Sequence, residues 1–351
     1  VYDQTELLAQ ARRALAFPNP FGLTVRYAMK ACSNAAVVRT LLRAGLQIDA
    51  SSGPEAWRAI RAGVDPAHIL LTTQQLPADL EALLKAGVHF NPSSLTQLDA
   101  YGWLRPGSQT SFRVNPGLGS GHSNRTNVGG PSASFGIWHE HLDEVRALAA
   151  RHGLEITSLH THIGSGSEPD VWQRCARLTL QIAAQLPQVG RVSLGGGFKV
   201  GRMPGEVSTD LQRAGAPVAA ELEHFAGEHG RCLHLEIEPG TYFVANAGAL
   251  VSTVQDVVDT GAKGYRFIKL DAGMTEVLRP SLYGAQHPLR LVRAEPDAPP
   301  EAGTVDYVVV GHCCESGDVL TPEPGNPEAL APRPLPAAQV DDLLVVGGCG
   351  A

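Results

Sequence analysis

Eight short β-rich runs, at 23–28, 47–50, 69–73, 88–91, 111–115, 156–163, 191–194 and 233–238, alternate with stretches of helical period. Helix-like segments such as 35–45, 55–63, 77–86, 140–152, 170–186 and 209–229 fall between them. Strands separated by helices pair in parallel, because the chain must cross back over the sheet before the next strand can begin. Eight such units in roughly 240 residues match the size of a (β/α)8 barrel of the TIM type. A doubly wound sheet is the other arrangement of the same alternation. Past residue 245 the texture changes. Valine-rich runs at 250–258, 265–270, 305–310 and 342–346 are separated by Gly/Pro stretches, and the Pro-rich segments 294–300 and 322–336 read as surface loops. The expectation is an α/β chain: a barrel over residues 1–245, then a mostly antiparallel β domain over 246–351.

Charge and composition narrow the function. With 28 Lys+Arg against 35 Asp+Glu the chain is mildly acidic, and no basic run exists to neutralise phosphates, so a nucleic-acid surface is not expected. Apolar residues at 43% and charged residues at 18% describe a globular chain rather than a disordered one. No apolar run approaches the ~18 residues of a membrane-spanning helix, so no membrane partner is expected. The opening Val1-Tyr2-Asp3-Gln4 lacks a basic region followed by an apolar one. Six scattered cysteines, two of them adjacent (Cys313-Cys314), make a poor disulfide framework, and a reducing, cytoplasmic setting is expected. Asn124-Arg125-Thr126 fits a glycosylation sequon by chance.

The ends of the eight runs carry polar groups against apolar strand interiors: Lys30, Asp49, Asn91, Arg113, His162, then Gly195-Gly196-Gly197 and Glu238-Pro239-Gly240. A barrel builds its active site from these ends. The Gly/Ser/Asn-rich segment 115–136 has no period and reads as a loop over that site. A glycine triplet lets backbone N–H groups approach an anion, and barrels often hold phosphate after strands seven and eight; a tight turn is its other use. Lys30 ends an apolar strand, where burial would lower its pKa and make it a Schiff-base nucleophile; snorkelling to solvent is the alternative. A phosphate cradle, a reactive lysine and an opposed acid together suggest pyridoxal 5′-phosphate (PLP), with Glu238 on the pyridine nitrogen. His160 and His162 point the same way along one strand. A metal would need a third ligand of suitable spacing, so none is expected. His162 fits better as a stacking partner for a planar cofactor, and His160 reads as a core histidine.

Tyr27-Ala28-Met29-Lys30-Ala31, His162-Ile163-Gly164-Ser165, Gly195-Gly196-Gly197, Glu238-Pro239-Gly240, Arg279-Pro280-Ser281-Leu282-Tyr283 and Cys314-Glu315-Ser316-Gly317-Asp318 occur in an order that resembles the PLP-dependent decarboxylases of fold type III. The likeness is greatest to the diaminopimelate decarboxylases and runs from about residue 24 to the last residue. It implies the alanine racemase/ornithine decarboxylase fold and decarboxylation of meso-2,6-diaminopimelate to L-lysine. It further implies that Lys30 carries the cofactor, His162 stacks on its ring and Glu238 pairs with its nitrogen. Ser165 and Gly195, Gly196 and Gly197 help hold the ring and phosphate. Asp49, Arg113, Pro239, Gly240 and Thr241 complete the cofactor-binding candidates. Arg279 and Tyr283 would bind the substrate's far carboxylate. Cys314 and Glu315 would reach into a partner subunit's site, which makes the expected assembly a homodimer, with Cys314 returning a proton to Cα. Alanine racemase shares the barrel and lysine but sets an arginine on the pyridine nitrogen, which Glu238 argues against.

The chain departs from the family pattern in two places. Thr241 stands where Glu-Pro-Gly is usually followed by an arginine that contacts the substrate's far end, and Ser134 replaces the lysine usual before Phe-Gly-Ile. Arg113 or Arg125 could replace the lost clamp. A decarboxylase of another basic amino acid or carboxylated polyamine is therefore the neighbouring reading, and a non-catalytic PLP carrier or partner-binding homologue the more distant one. The family also continues past Gly350-Ala351 into a tyrosine that contacts PLP, and it has an N-terminal strand ahead of Val1.

Overall fold

A computed structural model describes residues 1–119, 129–164, 168–294 and 303–351. The chain divides into two compact units: residues 4–200 with 208–244, and residues 1–3, 201–207 and 245–351. In the first, strands β1 (Leu23–Ala28), β2 (Gln47–Ala50), β3 (Ile69–Leu71), β4 (His89–Phe90), β5 (Gln109–Asn115), β6 (Ile137–Trp138), β7 (Glu155–Thr161), β8 (Arg191–Ser193) and β9 (His234–Ile237) form one sheet. Among the described residues its order is β4-β3-β2-β1-β9-β8-β7-β5-β6, and every pairing is parallel. The Arg113 N–H donates to the Pro92 carbonyl at 2.8 Å, bringing β5 back beside the end of β4. That contact curls the sheet into a barrel, with the two-residue β6 added beside β5. The doubly wound alternative is excluded.

Helices begin and end where local chemistry dictates. Ser52 Oγ accepts from the Glu55 N–H at 3.3 Å while Glu55 reaches back to the Ser51 N–H at 2.7 Å, a reciprocal cap for the helix Gly53–Arg61. Asp210 caps the helix Leu211–His229, which closes on Gly230 at φ +65°.

The strand interiors are less apolar than the sequence suggests. Arg26 donates to both oxygens of Glu236, at 3.1 and 3.2 Å, and Arg191 reaches the same carboxylate at 3.0 Å. Arg26 and Glu236 are buried. The burial is tolerated because the carboxylate is shared by two guanidiniums. Residues two apart share a strand face, so this layer underlies the strand-end groups that follow in Lys30 and Glu238.

The second unit contains β10 (Leu250–Asp259), β11 (Arg266–Leu270), β12 (Leu289–Val292), β13 (Val305–Val310), β16 (Arg333–Leu335) and β17 (Leu343–Val346) in the order β12-β17-β10-β11-β13-β16. All pairings are antiparallel except β11 with β13. A hairpin of β14 (Pro322–Glu323) and β15 (Asn326–Leu330) stands apart from this sheet. The segment 322–336, expected as loop, therefore holds three strands. Its prolines misled the sequence argument: Pro334 lies in β16, at the sheet edge, where a missing N–H costs no ladder bond. Val254, Ile268, Leu270, Val309, Leu344 and Val346 form the core of this unit.

Candidate active site

Lys30 and Glu238 stand at the same ends of two paired strands. β1 pairs with β9 from Leu23↔Leu235 to Val25↔Ile237, and the Ala28 N–H continues the ladder to the Pro239 carbonyl at 3.1 Å. Gly240 lets the two turns touch: a Cβ there would lie 2.9 Å from the Ala28 carbonyl and 3.2 Å from Ala31 Cβ. Lys30 itself is exposed, against the expectation of burial. The chain leaves β1 into the single 3-10 turn Met29–Ala31, and Met29 is the last buried residue before the amine.

Glu238 is buried, and both of its oxygens are engaged. His160 Nε2 lies 2.7 Å from Oε2, and Ser193 Oγ donates to Oε1 at 2.9 Å. Burial pushes the Glu238 pKa up, but His160, through charge and hydrogen bond, and then Ser193 outweigh it and bring it to about 2. Asp49, also buried, goes the other way: burial and then Glu238 raise it to about 7, with Lys30 and Arg26 opposing. Its Oδ1 has no hydrogen-bond partner among the described residues. Arg113 is lowered by burial to about 10, with Glu238 and Asp49 opposing, and lies 4.9 Å from the centre of the Phe135 ring. The lumen thus holds two carboxyls whose affinities for protons are driven apart.

His162 and the glycines interlock. The Gly196 N–H donates to His162 Nδ1 at 3.2 Å, which places the proton of the neutral ring on Nε2. The ring is neutral because burial, then Arg113 and Lys30, hold its pKa well below the usual range. Gly195 has φ +71°, and a Cβ on it would meet His162 Nδ1 at 2.5 Å; one on Gly196 would meet the Glu238 carbonyl at 2.2 Å. The triplet therefore packs His162 and the Glu238 turn together, with Gly197 following at φ +102°. Asn91 is a bridge between strands: it accepts from Ser111 at 2.8 Å and donates to Thr72 at 3.1 Å.

Thr241 is exposed at the start of a short helix, and Ser134 accepts from Gln74 at 2.8 Å. Ser165, Arg125 and the central part of the 115–136 segment lie outside the described residues. Asn115 ties the flanks of that segment, donating to the Gly130 carbonyl at 3.0 Å and accepting from the Gly130 and Gly117 N–H groups at 2.8 and 3.2 Å. In the second unit, Arg279 and Tyr283 span one short helix, and Cys314 and Glu315 are exposed in a loop. Buried Asp318 shapes that loop by accepting from the Cys313 and Met274 N–H groups at 2.9 and 2.7 Å. Ser193 was absent from the sequence candidates and His160 was placed in the core. Period-2 spacing, Ser193 with Gly195 and His160 with His162, is the signal that would have found them.

An exposed amine, a carboxylate held ionised, an unpartnered buried Asp49 oxygen and a glycine cradle closed to any Cβ fit pyridoxal 5′-phosphate. Such a barrel is that of a pyridoxal enzyme acting on amino acids. The chain belongs to the pyridoxal-dependent decarboxylases: the model for their pyridoxal binding domain matches residues 6–245. It is 36% identical to a diaminopimelate decarboxylase of Streptomyces coelicolor, covering 100% of this chain and 79% of that one. The Escherichia coli K12 diaminopimelate decarboxylase is 35% identical, with 97% and 81% covered. A crystal structure of diaminopimelate decarboxylase superposes with TM-score 0.91 at 33% identity, covering 100% of this chain and 82% of that one. One from Helicobacter pylori complexed with L-lysine gives 0.84 at 25%, covering 100% and 85%. Among the described residues no helix is long and apolar enough to cross a membrane.

Proposed function

We propose that the protein decarboxylates meso-2,6-diaminopimelate to L-lysine and CO2. The observation that carries this reading is similarity over the whole chain to diaminopimelate decarboxylases, joined to Lys30 and Glu238 on neighbouring strand ends. Bound pyridoxal phosphate supplies an electron sink for the pair left behind when a carboxylate departs. Lys30 would hold the cofactor through its Nζ. Glu238, kept ionised by His160 and Ser193, holds a proton on the pyridine nitrogen. Neutral His162 would lie against the cofactor's ring. Ser165 and Gly195–Gly197 would hold the ring and phosphate, with Asp49, Arg113, Pro239, Gly240 and Thr241 completing the surround. Arg279, Tyr283 and Glu315 bind the end of the substrate that does not react. The bond from Cα to its carboxylate breaks, CO2 leaves, and Cys314 of a partner subunit returns a proton to Cα. The assembly is a cytoplasmic homodimer with shared sites.

CO2 release should be compared for diaminopimelate, ornithine, arginine and lysine. Turnover of diaminopimelate above the others is expected. Turnover of ornithine without diaminopimelate would favour the reading that Thr241 suggests, a decarboxylase for substrates lacking a second carboxylate.

A further inference from the structure

β11 and β13 run in parallel, with Lys269 opposite Val310, so both deliver the chain to the same edge of the second unit's sheet. Gly273 follows one strand and Gly311 the other, and Asp318 is enclosed between them at 2% exposure. A Cβ on either glycine would come within 2.3 Å of Asp318 Oδ2. Two strand ends therefore close on one carboxylate.

Each oxygen of that carboxylate holds a different segment. Oδ1 accepts from the Met274 N–H at 2.7 Å, and Oδ2 accepts from the Cys313 N–H at 2.9 Å. Met274 lies in a turn where the Glu276 and Val277 N–H groups donate to the Gly273 carbonyl at 3.0 and 2.9 Å. Glu276 reaches back to accept from the Gly273 N–H at 2.9 Å, and Leu278 leads directly into the helix Arg279–Tyr283. On the other side, the Gly311 N–H donates to the Asp318 carbonyl at 2.9 Å, and the Asp318 N–H donates to the Glu315 carbonyl at 3.1 Å. Residues 311–318 thus form a closed loop that contains Cys314 and Glu315. A second brace joins the same two segments nearer the surface: His312 Nε2 lies 2.9 Å from Thr275 Oγ1 and 3.4 Å from Glu276 Oε2. Burying a carboxylate is costly unless its oxygens are bonded, and bonds from N–H groups to an ionised acceptor are strong. An amide has a single acceptor atom, so an acid is needed to hold the two segments through separate oxygens.

We propose that Asp318 is a positioning residue for the reaction: one buried carboxylate sets the loop of Cys314 and Glu315 against the helix of Arg279 and Tyr283. Proton return and recognition of the substrate's unreactive end are then fixed by the same group. The proposal rests on the roles given above to Cys314 and Arg279. His312 is the outer brace of the same joint.

The test uses the PLP-loaded enzyme and Asp318→Asn, which keeps the size and one acceptor oxygen. It should lower kcat for diaminopimelate about ten- to a hundredfold, since displacing a positioned group by about 1 Å costs up to about a hundredfold. The Schiff-base absorption band should persist, because Lys30 belongs to the other unit. L-lysine, which keeps the unreactive carboxylate, should bind more weakly, and 1,5-diaminopentane, which lacks it, should not. A double-mutant cycle separates positioning from general damage. Added to Cys314→Ala, Asp318→Asn should lower kcat by less than about twofold more. Losses that multiply in the cycle, or equal weakening of both ligands, would mean a structural role and overturn the proposal. His312→Ala breaks only the outer brace and should show the same pattern at smaller size. Where Asp318→Asn loses its folded circular dichroism, His312→Ala decides the question, and an unaltered kcat there would overturn the joint. Should the wild-type enzyme release no CO2 from diaminopimelate, the functional reading falls and this role with it. Turnover of diaminopimelate that Asp318→Asn leaves unaltered would remove this role alone.

Discussion

His160 Nε2 lies 2.7 Å from Glu238 Oε2, and this pair, with Ser193 on the other oxygen, keeps a buried carboxylate ionised at the end of the last barrel strand. Removing the histidine leaves the charge with Ser193 alone. His160→Ala should cost about 3 kcal/mol of stability, as when one partner of a buried pair is lost. CO2 release should fall about ten- to a hundredfold, as when partners that orient metal ligands are removed. His160→Gln, whose amide can still donate, should recover part of the rate. Chemical denaturation and steady-state rates measure both effects. Unchanged values for His160→Ala would mean that the pair does not support Glu238.

Asp49 makes the opposite contribution. Its folded-state pKa of about 7 exceeds the ordinary 3.8 because of burial first and Glu238 second. An acid raised in this way gives its full stability below its unfolded pKa and loses it as pH climbs through the folded value. Relative to Asp49→Asn, the wild-type protein should lose about 2–3 kcal/mol between pH 5 and pH 8, read from urea midpoints. Parallel pH profiles for the two proteins would contradict the assignment.

Gly195 offers a test of the interlock. Its φ of +71° and the 2.5 Å approach of a Cβ to His162 Nδ1 leave no room for alanine. Gly195→Ala should lose about 1–3 kcal/mol, seen in the melting temperature, and decarboxylation should slow because His162 shifts. Gly205→Ala, also at positive φ but with nothing within 4 Å, controls for backbone strain alone.

Shared sites can be examined by mixing subunits. Lys30→Ala and Cys314→Ala proteins should each be nearly inactive, and their mixture should recover part of the wild-type rate. No recovery would count against a partner's Cys314 acting in the site.

How far the sequence carried depends on which contacts are local. Eight of the nine barrel strands were legible because each is a short β-rich run set off by a stretch of helical period, whereas the two-residue β6 is too short to show a pattern. Lys30, Glu238 and the Gly195–Gly197 turn were legible because they occupy strand ends. The His160–Glu238 pair was not, since its partners come from β7 and the turn after β9 and meet only when those strands pair on either side of β8. The buried Arg26–Glu236–Arg191 layer escaped for the same reason. Pro334 hid an edge strand. The contact of Arg202 with Gly348 escaped because nothing in residues 201–207 shows that they group with residues 245–351.

The most direct measurement is the visible spectrum of the purified protein with pyridoxal phosphate, before and after Lys30→Ala. A Schiff-base absorption band in the wild-type protein that vanishes in the variant is the predicted result. An identical spectrum in both would mean that the amine at the end of β1 does not hold the cofactor.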